Sequence, residues 1–409
     1  MTKVLLSAYA CQPNKGSELG VGWNWAWHLA QLGHEVWVLT REHEESQIDR
    51  EQVLANQCLP NLHFVSVDIP DLFKPFLRGQ TGVYLHYFLW QRQAYSLALQ
   101  LNQEQNFDIV HHVTWGSLIG GSWLWCLKKP FIFGPVGGGQ ITAPAFKKYF
   151  LNRWRSEAFR SFVNTQLLPL HLIARQTVSH ADLVLVTNQD TANLAKRLGA
   201  SRVEFCLDTG LEPDYFPEFP PTRIPTSPLK LLWVGRLFHR KGLLLALEAI
   251  SQVNSEIPVK LTVVGGGSLS QYIPNWLKEL KIESKVEVKG QISWAEVKQE
   301  YLSHDAFLFT SLRDSFGSQL IEAMSYALPV IVLDHQGARD FVPLQAGIKI
   351  PVTNPQETVK KLAEAIEFLY VHPKKRLEMG QFGHQFAKQQ TWPEKAKAMS
   401  ELYKKFVTI

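Results

Sequence analysis

The chain has 409 residues, 45% of them hydrophobic, and carries 42 Lys and Arg against 37 Asp and Glu for a formal net charge of +5. That length points to two domains of roughly 200 residues each rather than one ordinary core. The basic excess is small and local, the four cysteines are scattered without a Cys-x-x-Cys pair, and the longest apolar run falls short of the roughly 18 residues a bilayer span needs, which argues against a nucleic-acid partner, a zinc or disulfide framework and a membrane-spanning protein.

In chain order, the apolar start MTKVLLSAYA runs into CQPNKGSELG with no basic leader or cleavage site, so it reads as a first buried strand and the protein as cytoplasmic. Short β-branched runs then alternate with helical stretches. KVLLSAY, HEVWVLT, FDIVHHV, PFIFGPV and DLVLVTN are the strands expected in the first half, and LKLLWVG, VKLTVVG, KVEVKG, AFLFTS and LPVIVLD those in the second. That alternation is the pattern of parallel sheets covered by helices on both faces. GPVGGGQ ends one such strand, and three glycines there, Gly137 and Gly138 among them, are expected to line a ligand cleft.

PAFKKYFLNRWRSEAFR, residues 144–160, sets Lys147, Lys148, Arg153, Arg155 and Arg160 against Glu157 alone, with Phe146, Phe150, Trp154 and Phe159 at helical spacing. It reads as a basic amphipathic helix, with Lys147, Lys148, Arg153, Trp154 and Arg155 at an anionic membrane surface; an ordinary helix packing its aromatics inward is the alternative. Residues 212–228 hold six prolines and read as a linker. The expected domains are therefore 1–218 and 219–390, with a helix at 391–409 returning its apolar stripe to the first.

Two segments carry the chemistry. In VGRLFHRKG a strand ends at Gly235 and Arg236 and Lys241 follow before a helix, which suits a diphosphate. In DSFGSQLIE, Phe316 borders the cleft and Gly317 permits close approach to a ligand. The N–H groups of Gly317, Ser318, Gln319 and Leu320 open a helix and can take phosphate oxygens, Glu322 can accept from two ribose hydroxyls, and Asp314 lies nearer a sugar. Cations and carboxylates at successive strand-to-helix junctions suit a nucleotide sugar.

VGRL followed by RKG, VVGGG, TSLRDSFG, IEAMSYALPVIV and GHEVWVLT together resemble glycosyltransferase family 4, the retaining group 1 enzymes, over nearly the whole chain. The resemblance implies the GT-B fold, two doubly wound Rossmann-like domains facing a central cleft. It implies Arg236 and Lys241 on the donor diphosphate, Glu322 on the ribose, and Asp314 as the first acid of a Glu-x7-Glu motif, where this chain is one methylene shorter than the family's usual Glu. NKGSELGVGWNW resembles the family's glycine-rich loop, which would set Gly20 beside the cleft and Gly22 near donor phosphate. The family's His after the strand that here reads FDIVHHV corresponds to His111 or His112; these alternate in facing, and His112 is favoured as the catalytic one.

The resulting expectation is a retaining transfer of a hexose-like residue from a nucleoside diphosphate sugar to a hydroxyl acceptor, such as a lipid-linked or polysaccharide precursor, with no cofactor and no metal required. An epimerase or phosphorylase of the same architecture, or an inactive glycan-binding relative, are the rivals.

Overall fold

The computed structural model describes residues 1–41, 59–69, 79–221, 223 and 227–407. Cys58, part of the proline-rich linker (222 and 224–226) and the last two residues of the expected C-terminal helix lie outside them. The chain divides into two units: 1–139 with 162–210 and 392–409, and 140–161 with 211–391.

Among the described residues, the first unit is built on a seven-stranded parallel sheet in the order β3-β2-β1-β4-β5-β6-β7. Its strands are β1 (Lys3–Ser7), β2 (Glu35–Arg41), β3 (Leu62–Val67), β4 (Ile109–His112), β5 (Phe131–Val136), β6 (Leu183–Val186) and β7 (Val203–Phe205). All five strands expected in this half are present; β3 and β7, both at the sheet edges, were not anticipated. Successive side chains face opposite sides of a strand, so Val4 and Leu6 enter one core layer and Leu5 the other. Helix α1 (Ser17–Gln31) covers the first layer together with α13 (Trp392–Val407). The return of α13 is fixed by Trp392 set edge-on to Trp25, by a 2.7 Å hydrogen bond between His34 and Ser400, and by Lys395 donating to the Leu207 carbonyl. The other layer is covered by α2 (Gly79–Gln105), α4 (Leu172–His180) and α5 (Gln189–Leu198).

The second unit holds a six-stranded parallel sheet in the order β10-β9-β8-β11-β12-β13. These are β8 (Leu229–Val234), β9 (Val259–Val264), β10 (Val286–Gly290), β11 (Ala306–Phe309), β12 (Val330–Leu333) and β13 (Gly347–Ile350). Helices α6 (Leu243–Gln252), α7 (Ile273–Leu280), α8 (Trp294–Ser303), α9 (Ser318–Ser325), α10 (Gln336–Phe341), α11 (Pro355–Val371) and α12 (Pro373–Lys388) complete it.

The main departure from the sequence reading is segment 140–161, which belongs to the second unit although it precedes the expected boundary at 218. It is not one amphipathic helix. Pro144–Arg153 winds as a 3₁₀ helix broken at Leu151 (φ 49°, ψ −126°), and α3 (Trp154–Phe162) follows. Phe146, Tyr149 and Phe150 are buried in the same core as Leu231, Trp233 and Leu243, and Trp154 packs against it. Lys148 is paired with Glu248 at 2.8 Å, and the Tyr149 hydroxyl donates to that carboxylate at 2.6 Å. Of the aromatic face expected to meet lipid, Phe146, Phe150 and Trp154 thus find their apolar partner inside the protein, while Phe159 stays exposed. Burying a Phe or Tyr side chain is worth roughly 2–3 kcal/mol, more than the few exposed charges on the opposite side can offset. Lys147, Arg153 and Arg155 remain exposed.

Candidate active site

In an open parallel sheet, ligands gather beyond the carboxyl ends of the strands, where the following connections leave in opposite directions. In the second unit this point lies between β8 and β11, because β8 is followed outward by β9 and β11 by β12 on the other side. The two turns singled out in the sequence are those that leave β8 and β11.

After β8, His239–Lys241 forms a short 3₁₀ turn that leads into α6. Lys241 is buried, and its ammonium forms an ion pair with the Asp314 carboxylate while lying 5.6 Å from the centre of the Phe309 ring. The Arg240 guanidinium stands 3.5 Å from the same carboxylate and donates to the Arg313 carbonyl at 3.1 Å. Arg236, chosen from the sequence as the second phosphate cation, is exposed; its carbonyl accepts from the Phe238 N–H at 2.7 Å, while its guanidinium pairs with none of the described residues.

After β11, residues 310–317 carry Asp314 back across the end of β8. Burial pushes the Asp314 carboxyl up, but the charges of Lys241 and Arg240 and hydrogen bonds from Lys241 and Ser311 outweigh it and hold the group below the ordinary carboxylate range. It is an anion in the folded protein. Gly317 has φ 100°, and a Cβ there would lie 2.5 Å from the Phe309 ring, so the entry into α9 requires a glycine.

Along α9 the expected donors are not all free. Leu320 is buried in the core and its N–H already donates to the Gly317 carbonyl at 3.0 Å, which removes it from the phosphate-binding set. The Ser318 side chain bonds Glu322, and the Gln319 carboxamide oxygen is buried without a hydrogen-bond partner among the described residues. Glu322 is itself buried and accepts a 2.9 Å hydrogen bond from the Tyr301 hydroxyl. Burial raises its carboxyl, against the lowering effect of Ser318, Tyr301 and the Lys241 charge. Phe316 is not an open cleft wall: it is buried edge-on against Phe341, with one part lining a small pocket shared with Phe309, Ser311, Asp314, His335 and Gln336.

The residues expected from the first unit are placed differently. Gly20 and Gly22 lie within α1 rather than in a loop. A Cβ on Gly20 would fall 2.0 Å from the Lys15 carbonyl oxygen and one on Gly22 2.1 Å from that of Ala10, so these glycines let the helix pack against its own preceding chain. Gly137 and Gly138 are buried: the Gly137 N–H donates to the Gly116 carbonyl at 2.9 Å, and the Gly138 carbonyl accepts from Asn164 at 2.7 Å. The backbones of both are thus tied to other parts of the first unit.

His111 and His112 do face opposite ways, but both rings are buried. His111 meets Tyr403 at 2.6 Å and the Gly134 carbonyl at 2.7 Å; His112 meets Ser7 at 3.0 Å and Tyr87 at 3.4 Å. Burial lowers His111 to about 4 and His112, with the added charge of His111, to about 3. Both rings are therefore neutral, and His112 is held against Ser7 and Tyr87 rather than presented as an open base.

Three contributors were not anticipated: Arg240, Tyr301 and the segment 140–161. Arg240 stands beside Lys241 in the sequence and was open to view; Tyr301 and residues 140–161 reach the site only through packing. Glu157 of that segment pairs with Arg313 at 2.6 Å and accepts from Thr142 at 3.0 Å, next to the Asp314 turn.

Residues 22–205 match the model for Glycosyltransferase Family 4, and residues 215–386 match that for Glycosyl transferases group 1. The chain is a family 4, group 1 glycosyltransferase. This glycosyltransferase is 25% identical over 198 residues to the Escherichia coli protein named as the colanic acid biosynthesis glycosyltransferase WcaL, covering 46% of this chain and 48% of the relative. It is 25% identical over 171 residues (42% of this chain, 37% of the relative) to the phosphatidylinositol N-acetylglucosaminyltransferase GPI3 subunit of Saccharomyces cerevisiae. It is 26% identical over 199 residues (45% and 46%) to the D-inositol 3-phosphate glycosyltransferase of Kineococcus radiotolerans. The matched stretch spans less than half of each of these relatives.

Among solved structures, the sucrose-phosphate synthase of Thermosynechococcus elongatus superposes with a TM-score of 0.67 at 18% identity, over 99% of both chains. The Anabaena HepE protein in complex with UDP-glucose gives 0.62 at 16%, over 99% of this chain and 100% of the other. These likenesses establish the GT-B fold of two parallel-sheet Rossmann-like domains.

Proposed function

We propose that this protein is a retaining glycosyltransferase that moves a hexose-like residue from a nucleoside diphosphate sugar to a hydroxyl acceptor in the assembly of a glycan, such as a polysaccharide or lipid-linked precursor. The observation that carries the reading is the pairing of Lys241 and Arg240 with Asp314 at the point where β8 and β11 diverge, with Glu322 buried in the helix α9 that follows. Arg236 is exposed at the same turn and free to reach a ligand. HepE, of the same fold, is seen in complex with UDP-glucose, and WcaL is named for colanic acid biosynthesis; both support the reading.

In this scheme Arg236, Arg240 and Lys241, with the N–H groups of Gly317 to Gln319, neutralise the diphosphate as the bond from the anomeric carbon to phosphate oxygen breaks. They supply the positive charge without a metal. The acceptor oxygen bonds to that carbon on the same face, its proton passing to the departing phosphate. Asp314 accepts from a sugar hydroxyl and Glu322 from the ribose. A panel of nucleotide sugars tests this: at least one should raise the melting temperature, and nucleoside diphosphate should be released from it only when an acceptor is added. Release without acceptor, or a changed sugar with no release, would favour a phosphorylase or an epimerase; binding with neither would favour a glycan-binding relative.

A membrane-bound acceptor has its own support. Leu151 and Phe159 are exposed beside Lys147, Arg153 and Arg155, while Glu157, the acid of the segment, is buried. Sedimentation with anionic vesicles, lost on changing Lys147, Arg153 and Arg155 to Gln, tests this peripheral contact. Equal behaviour of the two proteins favours an acceptor in solution. Among the described residues no helix is long and apolar enough to cross a membrane.

A further inference from the structure

The turn 311–316 that carries Asp314 is held residue by residue by the tripeptide His335–Gln336–Gly337 at the end of β12. The His335 ring meets the Ser311 carbonyl at 2.9 Å through Nε2; since a carbonyl only accepts, that nitrogen carries the proton. The Gln336 carboxamide oxygen accepts from the Asp314 N–H at 2.7 Å, and its nitrogen donates to the Ile141 carbonyl at 2.8 Å and toward that of Leu312 at 3.5 Å. Gly337 presses against the same turn so closely that a Cβ would lie 1.9 Å from the Ser315 carbonyl oxygen.

Gln336 is the unusual member. It is buried and has φ 52°, a left-handed backbone that a residue with a Cβ adopts only under strain. Glycine would relieve that strain but would lose the carboxamide. A strained, fully hydrogen-bonded side chain that reaches the backbone of a buried anion indicates a constraint beyond filling space. The turn is braced from a second side by segment 140–161, through the Gln140 side chain to Ser315 at 3.4 Å and the Glu157–Arg313 pair.

We infer that Gln336 is a positioning residue for Asp314, fixing the backbone of the shorter acid so that its carboxylate presents one orientation to the donor sugar. Asp has one fewer rotatable bond than Glu, so the place of its carboxylate is set mainly by its backbone. A brace on the Asp314 N–H therefore controls where the acid points. The inference rests on the reading of Asp314 as the acid that faces the donor sugar.

The test combines Gln336→Gly, Asp314→Asn and the double variant, with two readouts. Hydrogen exchange of peptides covering 311–317 should quicken at least about tenfold in Gln336→Gly while the strands keep their protection. Turnover of the UDP- or GDP-hexose that the wild type uses should fall by roughly 10- to 100-fold, with the affinity for free UDP or GDP unchanged within about twofold, since only the sugar contact is disturbed. The double variant should be no slower than Asp314→Asn alone. The inference is overturned by unchanged exchange in 311–317, or by Gln336→Gly slowing the Asp314→Asn protein as much as it slows the wild type, which would mark a merely structural role. If Gln336→Gly does not fold, Gln336→Asn gives the same readouts, because Asn tolerates the left-handed backbone while its carboxamide is one methylene too short to span both partners. If the wild type uses no nucleotide sugar, the donor reading fails, and the exchange readout still decides whether Gln336 holds the turn.

Discussion

In the absence of a donor, the Asp314 carboxylate occupies the ammonium that the phosphate is expected to meet, so Asp314→Asn should move stability and nucleotide affinity in opposite directions. Lys241 is 8% exposed, the Asp314 side chain 18% exposed, and Arg240 stands 3.5 Å from the same carboxylate. Removing one partner of a fully buried pair costs about 3–5 kcal/mol, and the partial exposure of Asp314 discounts this to roughly 2–3 kcal/mol. For a unit of this size that is a fall in melting temperature of about 5–10 °C. Free UDP or pyrophosphate would then meet two unneutralised cations and no longer an anion beside them. If a quarter to a half of the roughly 4 kcal/mol attraction between unit charges at 4 Å and an effective dielectric of 20 is returned to the ligand, affinity rises about 5- to 30-fold. Calorimetric titration with UDP and with pyrophosphate measures the affinity, and scanning fluorimetry with and without ligand measures the stability. Should the variant bind both ligands no more tightly than the wild type, Lys241 and Arg240 are not the phosphate cations.

Three further outcomes are expected. Glu322→Gln should weaken UDP binding by about tenfold through loss of a charged acceptor, yet raise stability at neutral pH. The sign follows from the raised carboxyl of Glu322: between its unfolded and folded values the folded protein holds the extra proton, so wild-type stability falls as pH rises through that window, and the Gln variant should not show the fall in urea midpoints. Conversely, His111 and His112 are lowered to about 4 and about 3, so the stability of the neutral rings is complete above the unfolded value of about 6.5 and is lost as pH falls below it, by about 1.4 kcal/mol per unit for each ring. His112→Gln should flatten the decline in urea midpoint between pH 6.5 and 5; an unchanged slope would show that His112 is not buried as a neutral ring. Asp314→Glu, which restores the family's usual acid, should retain activity with an altered donor preference, read as a changed ranking in the nucleotide-sugar panel. Loss of turnover with intact UDP binding would instead indicate a pocket shaped around the shorter acid.

Much of this protein was legible in its residues because the signals are local. The ten strands expected from short apolar runs are present, since a run of β-branched residues between turn formers has few other places to go in an α/β sheet. The turns bearing Lys241, Asp314, Gly317 and Glu322 were legible as strand-to-helix junctions because each follows an apolar run and precedes a helical pattern. What tertiary structure alone decided is which groups these residues meet. The periodicity of residues 144–160 revealed an apolar face but could not say whether lipid or the Leu231 and Trp233 core would cover it. Nothing local separates a glycine that clears room for a ligand from Gly22, which clears room for the Ala10 carbonyl. A histidine reads the same in a cleft and against Ser7 and Tyr87. The pairing of Lys241 with Asp314 and the reach of Gln336 to the Asp314 N–H join positions 73 and 22 residues apart. Such contacts exist only once the sheet has set β8, β11 and β12 side by side, because strand order is fixed by the burial of both faces and not by any residue in the turns themselves.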